Sequence, residues 1–154
     1  MKKLFALLLL FVVTGCTGEK DLTSEFEFIL SYGVMYKNVL NTIEDSFTKD
    51  LVIDGEVTTD LVLTEEEKKR IYLKMKDINL FQYSNEVEGM NMEPQSGYKF
   101  ELFVDGKVKR VNWIGEFNES ETHKEFRDLI KMITEIIESK EAFKSLPKPN
   151  GYYE

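Results

Sequence analysis

The sequence predicts an α+β domain: a single antiparallel sheet of about five or six strands, with two helices packed on one of its faces. Three observations predict it. Apolar residues alternate with polar ones in several short runs, most clearly in Tyr98–Val104 and Lys107–Trp113, on either side of Asp105-Gly106. Two other stretches repeat apolar residues at three- and four-residue steps. The elements also come in a telling order: a β-rich N-terminal part, a helix, a hairpin, a second helix. One sheet with both helices on one face is the simplest layered solution for that order.

The strands follow from period-two patterning. Phe26, Phe28, Leu30 and Tyr32 alternate with Glu27, Ile29 and Ser31, and Gly33 ends the run. Tyr36–Ile43 gives a second run with Val39 and Ile43, and Phe47–Ile53 a third that closes in the turn Asp54-Gly55. Val57, Thr59, Leu61 and Leu63 share one side of a fourth. Asp105-Gly106 is a strong two-residue hairpin signal between the last two. Ser84–Gly97 is the least patterned stretch, with Gly89, Pro94 and Gly97, and is expected to be a long mobile loop.

The helices have explicit start signals. Thr64 followed by Glu67 forms a capping box, and Glu65 and Glu66 complement the positive end of the helix dipole. Ile71, Tyr72, Met75 and Ile78 then make one apolar face, which fades near Asn79. Leu80, Phe81 and Tyr83 are expected to be buried as the chain turns away. The second helix enters near Asn118 or Ser120 and carries the stripe Phe126, Leu129, Ile130, Ile133, Ile136 and Ile137. A short turn through Phe143 and Leu146 follows, and Pro147 and Pro149 stop it.

The N-terminus carries the most specific signal. Lys2 and Lys3 precede an apolar run, Leu4–Val13, and Thr14 and Gly15 are small residues before Cys16, the only cysteine. About ten residues rise only ~15 Å as a helix, half of a ~30 Å hydrocarbon core, so the run is a leader rather than a membrane span. Val13-Thr14-Gly15-Cys16 resembles the lipobox of bacterial lipoproteins. The resemblance implies cleavage between Gly15 and Cys16, diacylglycerol on the Cys16 sulfur, and acyl chains such as palmitate that hold the protein to the bilayer. Two or more chains anchor stably where one does not. The implied location is the extracytoplasmic face of the cell membrane. Thr17 follows Cys16, so the aspartate that retains Gram-negative lipoproteins at the inner membrane is absent; in such a cell the outer membrane is expected.

The expected organisation is a removed leader over 1–15, a lipidated tether over 16–25, one globular domain over 26–146 and a tail over 147–154. The chain holds 20 basic and 28 acidic residues; without Lys2 and Lys3 the balance is 18 against 28, or −10. That sign argues against nucleic acid and against lying flat on anionic lipid. With its one cysteine committed to lipid, the domain is expected to have no disulfide.

Catalytic signatures are absent by residue type and spacing. His123, the only histidine, stands in the polar segment Glu121-Thr122-His123-Lys124-Glu125 and is expected to be an exposed helical residue. No second soft ligand stands at zinc-site spacing. Glu65–Glu67 mark a helix start, Glu135 and Glu138 a polar helix side, and the Asp-Gly pairs are turns outside any calcium-loop pattern. The glycines are scattered and make no phosphate cradle. No cofactor or metal is expected.

Phe26, Phe28, Phe100 and Phe126 read as core. Trp113 ends a hairpin strand, and a core lid competes there with a ligand platform. Tyr152 and Tyr153 on the tail need either docking onto the sheet or a partner. Trp113, Tyr152 and Tyr153 are therefore the candidate partner-binding residues. An uncovered sheet face would also hold Tyr32 and Tyr36. The body, through Leu63-Thr64-Glu65-Glu66-Glu67-Lys68-Lys69-Arg70-Ile71-Tyr72, Leu146-Pro147 and Gly151-Tyr152, resembles small uncharacterised lipoproteins of Bacillus-like bacteria. The expected function is a non-catalytic binding module contacting an envelope protein or wall component. An inhibitor or immunity-type lipoprotein that blocks a cationic enzyme or toxin is the first alternative. A carboxylate-dependent hydrolase ranks last.

Overall fold

The computed structural model describes residues 26–153. The leader, the cleavage position Gly15, the lipidation residue Cys16, the tether through residue 25 and Glu154 lie outside them. The strands are β1 (Phe26–Val34), β2 (Asn38–Asn41), β3 (Ser46–Asp50), β4 (Glu56–Asp60), β5 (Glu86–Glu88), β6 (Ser96–Val104) and β7 (Lys107–Ile114). The helices are α1 (Glu65–Asp77), α2 (Glu121–Ser139) and the short α3 (Glu141–Lys144), with a 3-10 turn at Leu80–Gln82. All strands join one sheet in the order β4-β3-β2-β1-β6-β7-β5.

The α+β class and the mostly antiparallel sheet agree with the sequence reading; the strand count, the helix count and the stretch before β6 do not, α3 being a third helix where two are expected. Seven strands replace the expected five or six, because β5 forms inside what reads as a loop and pairs parallel to β7. β5 is the three residues Glu-Val-Glu, too short and too charged to show a period. Its conformation is imposed by the free edge of β7: Asn112 N–H donates to Asn85 O (2.8 Å) and Gly89 N–H to Ile114 O (2.6 Å). Two glutamates on a three-residue edge strand also discourage further strand addition.

Register assigns the core. Leu30 stands opposite Leu40 and Phe100, Leu40 opposite Phe47, and Phe100 opposite Val111, so these residues share one sheet face. They are buried in one cluster with Ile71, Tyr72 and Met75 of α1 and Phe126, Leu129, Ile130, Ile133 and Ile137 of α2. The other face alternates as water-facing strands should. It carries Thr48 and Thr58, whose hydroxyls lie 2.8 Å apart, and the cross-strand pair Glu101–Arg110 at 3.0 Å.

Local chemistry explains the helix ends. In the capping box Thr64 Oγ1 accepts from Glu67 N–H (3.2 Å) and Glu67 Oε2 accepts from Thr64 N–H (2.8 Å). α2 starts differently. Ser120 makes no side-chain cap; instead Asn118 Oδ1 accepts from Ser120 N–H at 2.8 Å. The tail docks on the sheet: Asn150 forms a parallel bridge with Val52, and Tyr153 donates its hydroxyl to Asp50 Oδ2 at 2.6 Å while accepting from Lys37 Nζ at 3.0 Å.

Candidate functional site

The ends of β1, β6 and β7 converge near three glycines, and a recess opens there. Gly97 of β6 lies opposite Ile114 of β7 and Gly33 of β1. A Cβ on Gly97 would collide with the Trp113 carbonyl oxygen. Gly115, at φ +88°, presses on the Met90 carbonyl oxygen, where a Cβ has no room. That approach lets Met90 and Glu116 exchange two backbone hydrogen bonds of 2.8 Å each, and Gly115 N–H donates to Ser96 O at 2.9 Å. The segment from Met90 to Ser96 is thereby fastened to the start of the β7–α2 connection.

The recess measures about 340 Å³ and is lined by Met92, Ser96, Tyr98, Gly115, Glu116, Phe117 and Arg127. Tyr98 and Phe117 stack with ring centroids 5.3 Å apart and planes 15° from parallel, forming an aromatic wall. Ser96 Oγ donates to Met92 Sδ at 2.9 Å. Burial pushes the Tyr98 phenol above its ordinary pKa, and the nearby Glu116 carboxylate adds to the shift. Tyr98 therefore presents a neutral hydroxyl. Glu116 and Arg127 form no salt bridge among the described residues, with each other or with any third group. In another recess, at Arg70, Lys74 and Asp77, two of the charges already face each other at 3.6 Å.

Beside the recess the β1–β2 turn is unusual. Met35 and Tyr36 both take positive φ, +52° and +59°, where glycine or asparagine is the ordinary choice. Met35 N–H donates to Gln95 O at 3.0 Å, which ties this turn to the Met90–Ser96 segment. Met35 is 63% exposed and Met90 46%. Lys99 Nζ stands 3.8 Å from the centroid of the Tyr36 ring.

The structure sorts the candidates from the sequence. Trp113 is wholly buried, stacked on Phe126 at 4.4 Å and touching Phe117 at 5.2 Å, so it serves the core and offers no surface to a partner. Its indole N–H is buried without an acceptor among the described residues. Tyr32 likewise shares the core face, opposite Tyr98, and only Tyr36 of that pair lies by the uncovered face through Lys99. Tyr153 is held by Asp50 and Lys37, whereas Tyr152 is 79% exposed. The three candidates do not meet in one place.

His123 corrects the sequence reading. It is buried, not exposed: its ring meets Trp113 edge-on at 4.5 Å, and Nδ1 accepts from Asn118 N–H at 2.9 Å. The signal was its spacing, three residues before Phe126 on the apolar side of α2. Missed altogether were Glu116, Phe117 and Arg127, which bracket the helix entry; the β6–β7 pairing sets Gly97 and Tyr98 beside Ile114 and Trp113, and the Met90–Glu116 bridge closes the recess.

Among the described residues no three or more of His, Cys, Asp and Glu gather to hold a metal ion, and no helix is long and apolar enough to cross a membrane. Compared with protein-family models, with curated proteins and with solved structures, the chain matches none.

Proposed function

We propose that the protein is a lipid-anchored, extracytoplasmic binding module. Cys16 carries the acyl chains, the polar segment after it lifts the domain from the bilayer, and the end of the sheet near Gly97 and Gly115 makes contact with an envelope protein or wall component. The observation that supports this reading best is the recess itself. Its lining combines an aromatic wall, a methionine and two charges without mutual pairing, and its border exposes Met35 and Met90. Adaptable methionine surface beside fixed aromatic surface suits recognition. The recess lining contains one carboxylate, Glu116, so it provides no pair for acid–base hydrolysis.

The test is affinity capture from detergent-solubilised membranes with the native protein, beside Met35→Ser/Met90→Ser and Cys16→Ser variants, over a salt series. The reading expects Cys16→Ser to leave the membrane fraction or remain unprocessed, and the double methionine variant to lose a partner that the native protein retains. Retention of the Cys16→Ser protein in membranes at mature size would contradict the anchor. The alternative, an inhibitor of a cationic enzyme or toxin, draws on the net charge of −10 left by 18 basic and 28 acidic residues. It predicts capture that collapses as salt rises.

A further inference from the structure

The charges in the recess are the informative part. Arg127 reaches it from α2, and Glu116 from the connection that follows β7. Both belong to solvent-exposed residues, line the recess without a salt bridge to each other, and are free among the described residues to meet a ligand. The same recess is lined by the stacked rings of Tyr98 and Phe117 and by Met92. A guanidinium recognises a carboxylate, a carboxylate recognises an ammonium, and an aromatic wall takes an apolar side chain. A ligand with all three groups matches the recess; a simple anion or cation leaves one charge unanswered.

We propose that this recess binds a zwitterionic, amino-acid-like ligand with an aromatic or large apolar side chain. The ligand's carboxylate lies on Arg127, its ammonium on Glu116, and its side chain on Tyr98, Phe117 and Met92. The proposal rests on the binding-module reading and names the ligand class of that same site. The volume, about 340 Å³, suits one residue rather than a long segment. The close approach of Gly115 to Met90 keeps one wall fixed, so little of the site must be ordered on binding.

Trp113 reports on the site from within, since its ring touches Phe117 at 5.2 Å and it is the only tryptophan. The experiment titrates the described domain in its natural chain with three probes, followed by tryptophan fluorescence and by amide shifts in heteronuclear NMR. The probes are L-phenylalanine, N-acetyl-L-phenylalanine and L-phenylalanine amide; the second lacks the ammonium and the third the carboxylate. The expected result is saturable binding of L-phenylalanine, with a dissociation constant of roughly a millimolar or tighter for a ligand of this size. The two blocked probes bind about tenfold or more weakly, each having lost a charge-assisted contact.

Arg127→Gln should weaken L-phenylalanine binding about tenfold and leave the amide unchanged, and Glu116→Gln should weaken it likewise and leave the N-acetyl probe unchanged. Preferential binding of the N-acetyl probe would point to a peptide C-terminus, and of the amide to a peptide N-terminus; either result overturns the free zwitterion. Equal binding of all three, or none, also overturns it. If the probes fail while the Met35→Ser/Met90→Ser variant still loses its captured partner, the ligand class is wrong and the binding-module reading stands. If capture fails too, both fall.

Discussion

Lys140 Nζ lies 2.6 Å from Glu67 Oε2, which joins the residue that ends α2 to the residue that completes the capping box of α1. Both side chains are 20% exposed. One carboxylate oxygen thus serves the start of one helix and the end of the other.

This contact makes a pH prediction. Burial by itself raises the Glu67 pKa, but the Lys140 bond, the Thr64 bonds and the Lys140 charge outweigh it and hold the group below its ordinary range. Because the folded value is depressed, the contribution to stability is complete above the ordinary glutamate value of about 4.3 and is lost as pH falls from there. Lys140→Met should lower stability by about 1–2 kcal/mol near neutral pH and flatten the acid limb of urea midpoint against pH. An unchanged acid limb would contradict the assignment.

Tyrosine ionisation gives a second. Burial pushes the Tyr32 phenol far above its ordinary value, and Glu138 and Tyr98 add to the shift; burial, then Glu116, raises Tyr98. For a raised phenol the stabilising neutral form persists below the unfolded value of about 10, and the contribution is lost as pH rises beyond it. Absorbance at the phenolate band should show Tyr32 and Tyr98 ionising together with loss of near-UV circular dichroism. Tyr32→Phe should remove part of that late step.

His123 accepts the Asn118 N–H and packs edge-on against Trp113. Its removal takes the acceptor from the part-buried Asn118 N–H and leaves a gap beside an indole. His123→Ala should cost about 2–3 kcal/mol and shift Trp113 emission to the red. His123→Phe, which fills space without restoring the acceptor, should cost less and keep the emission. Chemical denaturation followed by fluorescence measures both.

Two glycines with similar backbone separate strain from collision. Gly115 has φ +88° and no room for a Cβ beside Met90 O; Gly106 has φ +70° and open space. Gly106→Ala should cost about 1 kcal/mol, and Gly115→Ala about 2 kcal/mol or more, with amide shifts reaching Met90, Met92 and Glu116. Equal costs would mean that the Met90–Glu116 pairing does not depend on this close approach.

The legible parts of the fold are those whose neighbours in sequence decide their conformation. Thr64 and Glu67 cap each other locally, Asp105-Gly106 turns without outside help, and the stripe from Phe126 to Ile137 carries its own period. β5 was illegible because Glu86–Glu88 becomes a strand only against Asn112–Ile114. His123 was misread because its sequence neighbours are polar while its spacing is apolar. The recess was illegible because its closure is not local: the β6–β7 hairpin sets Tyr98 beside Trp113, but Met92 nears Glu116 only through the antiparallel Met90–Glu116 bridge, and Arg127 arrives only as α2 packs on the sheet.

The anchor at Cys16 decides whether this domain works at a membrane surface, and the intact mass of the protein extracted from its native membranes tests it most directly. The expected result is a polypeptide beginning at Cys16 whose excess mass matches diacylglycerol, alone or with a further acyl chain, and which loses its two ester-linked chains on alkaline hydrolysis while the glyceryl thioether and any amide-linked chain remain. A chain that retains residues 1–15, or one that begins near Cys16 without added lipid, would contradict it.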